Sequence, residues 1–230
     1  ASLGWDSKAD VEDILREYSR YYISPRWESS FTRGLLGLEQ NWIGPLLPNM
    51  GVYETLRIFQ EMEKEATPAE KHNWRFQSGL YRAYYDAYIR RRLIHETEIE
   101  EQTMDALRRA GEIGSLLAVE QANAILDRTI LEIVAPDWRS RVYALAEGLF
   151  QSIHLQLDVE HYEATSKRRG GNLEDIDTPI NNYHKLKSEF TRIRQISSEK
   201  VRLSEIETIT SERYRMKTQH DYEVIQEGIQ

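Results

Sequence analysis

"NWRFQSGLYRAYYDAYIRRRL", residues 73–93, holds one Trp, one Phe, four Tyr and five Arg in 21 positions. Placed on a helix, Leu80, Ala83, Ala87 and Ile94 fall on one side, while Trp74, Tyr81, Tyr84, Tyr85 and Tyr88 cover most of a second. A helix that is apolar on two sides is buried among several neighbours. Arg82, Asp86 and Arg90 are spaced four apart, so Asp86 is expected to pair with both arginines along one stripe. Composition supports a second reading as well, in which Trp74, Arg75, Tyr85 and Asp86 line a cleft for a polar ring such as a sugar.

Helical spacing continues on both sides of this stretch. Ser7 and Asp10 form an N-cap signature ahead of Val11, Ile14, Leu15, Tyr18 and Tyr22, which predicts a first helix over 8–23. Pro25 disfavours helix at the residue before it, so "SPRW" (24–27) breaks the chain before a second helix near 28–42. A third is expected over 52–65. Thr67 as cap and Pro68 at the first helical position then open a long central helix near residues 69–109. Ser115 is expected to cap the next, with Leu116, Val119, Ala122, Leu126 and Ile130 as its stripe. Pro136 opens a sixth that runs to about Lys167, Pro179 a seventh, and Ser197 or Ser198 an eighth. Nothing alternates with period two for long enough to make a strand. The fold class is therefore all-α, a multi-helix bundle of about seven or eight helices. "RRGGN" (168–172) divides it into a main bundle, residues 1–167, and a loop with a C-terminal helical pair, residues 168–230.

"GPLLPNMG" (44–51) is an apolar loop and needs a cover. Packing on this chain's own helices and docking on a neighbouring domain or ligand site both satisfy that need.

The chain of 230 residues carries 38 acidic and 30 basic side chains, a net charge of −8, so it offers no broad cationic field for nucleic acid. The runs Arg90–Arg92 and Lys167–Arg169 sit among carboxylates and read as a solvated helix face and a loop. No stretch approaches the roughly 20 apolar residues of a membrane span. Without cysteine there is no disulfide, thiol nucleophile or thiolate metal site, and the compartment stays open. The opening "ASLGWDSKAD" has neither an initiator Met nor a signal order, and the chain is expected to be a segment of something longer.

Catalytic motifs are not found: there is no Gly-x-Ser-x-Gly, P-loop or dinucleotide fingerprint, no cofactor is implied, and no residue is assigned a catalytic role. Glu96, Glu98, Glu100 and Glu101 read as solvated helix positions. His154, Asp158 and His161 at i, i+4 and i+7 would share a helix face able to hold a metal. A di-iron bundle needs ligands from further helices. None is apparent, so solvated polar residues are the plainer reading and no metal site is assigned.

Four stretches, "LGWDSKADVEDILREYSRYYI" (3–23), "LEQNWIGPLLPN" (38–49), "NWRFQSGLYRAYYDAYIRRRLIHE" (73–96) and "DTPINNYHKLKSEFTRIRQI" (177–196), are similar to a known region. Together they resemble an α-helical segment that follows the catalytic barrel in large bacterial proteins related to glycoside hydrolases, of the α-glucuronidase, hexosaminidase and α-N-acetylglucosaminidase kind. The likeness spans most of residues 3–210. It implies a carbohydrate-degrading parent, exported to the periplasm or beyond, whose catalytic carboxylates lie in a preceding barrel. On the matching positions it implies that Asn41, Trp42, Asn73, Trp74, Arg75, Tyr81, Arg82, Tyr85 and Asp86 face the barrel's substrate cleft or hold the interface. The tail departs, since "SERYRMKTQHDYEVIQEG" (211–228) lacks the Gly/Pro-rich continuation of the family.

The function expected is thus a non-catalytic accessory domain of a carbohydrate-active enzyme. Its partners would be the neighbouring catalytic domain of the same parent chain and, on the exposed rings, a glycan. A purely structural or protein-interaction bundle without ligand is the alternative from another class, and a metal-dependent protein using the His154 face is a third.

Overall fold

The computed structural model describes residues 8–130, 134–155 and 181–211. Among them are ten α-helices, one 3-10 turn and no strand, an all-α multi-helix fold. The helices are α1 Val11–Tyr22, α2 Glu28–Gln40, α3 Gly51–Glu65, α4 Pro68–Lys71, α5 Trp74–Arg108, α6 Ala110–Ile113, α7 Ser115–Ile130, α8 Pro136–Ile153, α9 Asn181–Gln195 and α10 Glu199–Ile209; Pro25–Trp27 is the 3-10 turn.

Local chemistry sets the boundaries and moves several from where periodicity put them. Helix α1 starts at Val11 because Asp10 is the cap, its carboxylate accepting the N–H groups of Glu12 at 2.7 Å and Asp13 at 3.1 Å. It stops where Pro25 holds Ser24 extended, at φ −172° and ψ 145°. Thr67, Pro68 and Glu70 form a complete capping box, yet this builds only the single turn α4. The long helix begins at Trp74, five residues later than expected. There Asn73 restarts it, taking the Arg75 N–H on its side-chain oxygen at 3.0 Å and the Gln77 N–H on its carbonyl at 2.9 Å.

Helix α8 ends at Ile153, not near Lys167. His154 is left-handed at φ 54° and ψ 32°, and its N–H closes on the Phe150 carbonyl at 2.9 Å. The helix face assumed for His154, Asp158 and His161 is therefore interrupted at its first member; Asp158 and His161 lie outside the described residues.

By contacts the described chain forms two compact units, residues 8–90 with 135–155, and residues 91–130 with 181–211. They interleave along the sequence, and the boundary expected at residue 167 lies outside the described residues.

In the first unit α2 packs against α1 and α3. Phe31, Phe59 and Phe76 meet at its centre, with centroids 5.8 Å apart edge-on for Phe31–Phe59 and 6.0 Å apart stacked for Phe31–Phe76. Phe59 of α3 fits because two glycines leave room. A Cβ on Gly34 of α2 would lie 2.9 Å from its ring, and one on Gly79 of α5 would lie 2.6 Å from it. Val142, Leu145 and Leu149 of α8 are also buried. Helix α8 is tied to α3 by Arg141 on Glu63, which also accepts the Tyr84 hydroxyl at 3.1 Å. Leu46 of the apolar loop is buried on this unit, and the Arg90 guanidinium donates to the Leu47 carbonyl at 2.8 Å. The loop is thus held in part by its own domain, while Ile43 and Met50 stay exposed.

In the second unit Leu107, Val119, Ala122, Leu126, Leu186, Phe190, Ile193, Ile206 and Ile209 form one core. Ser115 is the first residue of α7 and not its cap. Its N–H and hydroxyl both donate to the Glu199 carboxylate of α10, at 2.8 and 2.6 Å. With Arg202 alongside, these donors pull the Glu199 carboxyl down to about 2. Glu96 and Glu100, expected on a solvated face, are buried, as are Arg90 and Arg92 of the basic run. Arg92 compensates Glu96 one turn on, Nε to Oε1 at 2.6 Å, and the Tyr183 hydroxyl donates to the Glu96 carbonyl at 3.1 Å.

Gly79→Ala tests the Phe59 slot. Ala raises helix propensity by roughly 0.5–1 kcal/mol, but forcing a methyl into a filled core costs about 1–3 kcal/mol. A net loss of about 1–2 kcal/mol in urea unfolding is expected. Gly111→Ala, whose Cβ would meet no atom within 4 Å, is expected to be neutral or stabilising.

Candidate functional site

Two clusters of chemistry-bearing side chains emerge in the first unit, and most of the residues singled out from sequence belong to one or the other.

The buried cluster grows from the meeting of α2 and α5. Helix α2 ends at Gln40, which turns Asn41 and Trp42 towards α5. Asp86 of α5 is 2% exposed. Its Oδ1 accepts Arg82 Nε at 2.8 Å, and its Oδ2 accepts Asn41 Nδ2 at 3.0 Å and Trp42 Nε1 at 3.3 Å. Asn41, itself 1% exposed, takes the Thr55 hydroxyl on its own oxygen at 3.4 Å. The Arg82 guanidinium also lies over the Trp42 ring, 4.2 Å from its centroid.

Arg90 does not join this pairing, contrary to the four-residue spacing. It turns to the Leu47 carbonyl, to Met50 Sδ at 3.2 Å and to the face of Tyr53 at 4.6 Å. A carbonyl and a ring from the apolar loop and α3 thus receive the second cation.

Burial pushes the Asp86 carboxyl up to about 6 against the pull of Arg82, Asn41 and Trp42. That value suits proton exchange near neutrality. The geometry does not: both oxygens are turned to protein donors, so Asp86 acts as a tie between α5 and the end of α2.

The second cluster is at the surface. Asn73 donates through Nδ2 to the Tyr22 carbonyl, which sets the start of α5 against the end of α1. Arg75 is then sandwiched between two rings, its guanidinium carbon 4.4 Å from the Tyr22 centroid and 4.2 Å from that of Trp74. Its charge also acts on Tyr18, whose phenol burial pushes up and Arg75 draws back. Tyr18 and Tyr22 are 5.1 Å apart by centroid, Tyr21 and Tyr22 6.1 Å. The rings are open to solvent: Tyr21 is 87% exposed, Tyr22 48% and Trp74 37%. Arg75 makes no ion pair among the described residues.

Tyr81 and Tyr85 belong to neither surface. They stack at 6.1 Å inside the core, 5% and 1% exposed. Asp86 lies twelve residues beyond Trp74 on α5, about 18 Å along its axis, so the two clusters are separate. The residues that sequence reasoning missed are Tyr18, Tyr21 and Tyr22 as a surface. One signal was available: Tyr21 and Tyr22 are adjacent, about 100° apart on a helix, so a single buried stripe cannot hold both.

The described residues contain no group of three metal-ligating side chains, and no helix among them is long and apolar enough to cross a membrane. Comparisons with protein-family models, with curated proteins and with solved structures find no match.

The buried Asp86 gives stability a sign in pH. Below about pH 4 both the folded and unfolded chains hold this proton. As pH rises towards 6 the unfolded chain releases it first, so the folded state loses on the order of 3 kcal/mol of its relative stability. Urea unfolding at pH 4 to 7 is expected to show wild type weakening relative to Asp86→Asn across that window. A difference between the two that is flat in pH would mean Asp86 does not titrate there.

Proposed function

We propose that this chain is a non-catalytic helical accessory domain of a carbohydrate-active enzyme, packing beside the catalytic barrel of its parent and presenting Tyr22, Arg75 and Trp74 to a glycan. One observation carries the reading: two solvent-facing rings, Tyr22 and Trp74, enclose an arginine that has no ion-pair partner among the described residues. Large rings are normally withdrawn from water, and aromatic side chains with arginine are the residues that dominate recognition surfaces. A pyranose offers its C–H face to such a ring and its hydroxyls to the planar guanidinium fork. The likeness to helical regions that follow glycoside-hydrolase barrels supplies the parent and the neighbouring domain.

A second reading, a structural or protein-interaction bundle without ligand, draws on a different observation. Ile43 and Met50 of the Trp42 loop are each 65% exposed, and Asp86 satisfies its hydrogen bonds within the domain. On that reading the loop meets a neighbouring domain and the rings of α1 meet protein.

Calorimetric titration of xylo- and chito-oligosaccharides separates the two. Binding that Trp74→Ala weakens by about tenfold, or 1.4 kcal/mol, with the helical circular dichroism unchanged, is the expected result. Wild type that takes up no glycan in either series leaves the bundle without ligand as the better account.

A further inference from the structure

Helices α1 and α2 flank a cleft of about 310 Å³ that the aromatic surface does not use. Glu12 and Arg16 of α1 face Ser29, Ser30 and Arg33 of α2 across it, over a floor of Thr32 and Leu36. Its charges divide unevenly. Glu12 is engaged by Arg16, whose Nη2 and Nε reach Oε1 at 2.6 and 3.2 Å. Glu28, next to Ser29, is held by Arg20 at 2.9 and 2.8 Å. Arg33 makes no side-chain hydrogen bond or ion pair among the described residues, and neither do Ser29 and Ser30. Ser29 and Ser30 lie four and three residues before Arg33, so the hydroxyls and the guanidinium share one helix face. The floor is fixed: Ser19 gives its one proton to the Leu15 carbonyl at 2.7 Å, so Thr32 donates to Ser19 at 3.1 Å.

We propose that this cleft binds a small hydroxylated carboxylate, with Arg33 forking the carboxylate and Ser29 and Ser30 meeting its hydroxyls. The lining side chains sum to one positive charge, two arginines against Glu12, which matches a monoanion. A phosphate dianion would set a second negative charge beside Glu12, and a planar fork suits a carboxylate. The volume is at the small end of ligand cavities and takes a chain of about six carbons. Nothing in this depends on the glycan surface, since the residues are different.

The test uses ¹⁵N-labelled protein titrated at constant ionic strength with sodium gluconate, with sorbitol as the uncharged polyol, and with inorganic phosphate, following the amides of residues 29–33 and the Arg33 side-chain N–H. Saturable shifts with gluconate, weaker ones with phosphate and none with sorbitol are expected. Arg33→Ala should weaken gluconate by about tenfold and leave the thermal midpoint unchanged, because the wild-type side chain is exposed and makes no hydrogen bond or ion pair among the described residues. The proposal is overturned if gluconate shifts do not saturate, if Arg33→Ala binds it equally well, or if phosphate or sorbitol binds as tightly.

Discussion

Phe59 has room only because two residues opposite it have no side chain. Gly34 and Gly79 let α2 and α5 close on its ring to distances that a Cβ would forbid. The same face of α2 continues through Gly37, where a Cβ would sit 2.5 Å from the Thr55 hydroxyl, to Asn41. These positions are spaced i, i+3 and i+7, so they form one seam along the helix. Close approach in its first half sets the distance over which Asn41 and Asp86 bond in its second. A polar tie buried this deeply tolerates little error in that distance, because hydrogen bonds weaken quickly with length and angle. Packing of an apolar ring thus fixes the geometry of a polar network about two turns away.

The two clusters on α5 use the same residue types to opposite ends. At Asp86, Trp42 and Arg82 are drawn inward as donors, and the carboxylate they surround is kept from water. Removing one partner from such a network leaves a buried charge uncompensated, which is why satisfied networks specify an arrangement more than they add stability. At Asn73–Arg75 the polar atoms are spent on placing rings, and the ring faces are left to solvent. Side chains that look alike in sequence are therefore a strut in one place and a contact surface in the other.

Burial of the central helix was legible in residues 73–93, because apolar side chains on two sides of a helix leave no solvated orientation. Asn41, Trp42, Arg82 and Asp86 were also singled out, and Arg82–Asp86 followed from local spacing. Arg90 was misassigned because its partners, the Leu47 carbonyl and Tyr53, lie far away in the sequence. Glu96 and Glu100 were misplaced for the same reason, since Tyr183 comes 87 residues after the carbonyl it bonds. The end of α8 was invisible: a left-handed His154 breaks the helix where neither Gly nor Pro announces it. Tyr22 was read only as one of the residues at helical spacing, because periodicity says which residues share a face, and not whether a neighbour covers it.

The cap on α7 has a consequence for biosynthesis. Glu199 answers the open N–H of Ser115 from 84 residues further along the chain. At ribosomal speeds of roughly 5–20 residues per second, that carboxylate is made about 4 to 17 s after Ser115 itself. Until residues 181–209 are made, the apolar stripe of Ala118, Val119, Ala122 and Leu126 lacks the cover of α9 and α10. While the residues of α8 are being added, that stripe has the earlier-made part of its core, from α5 and α6, to pack against, and the rest of its cover comes later.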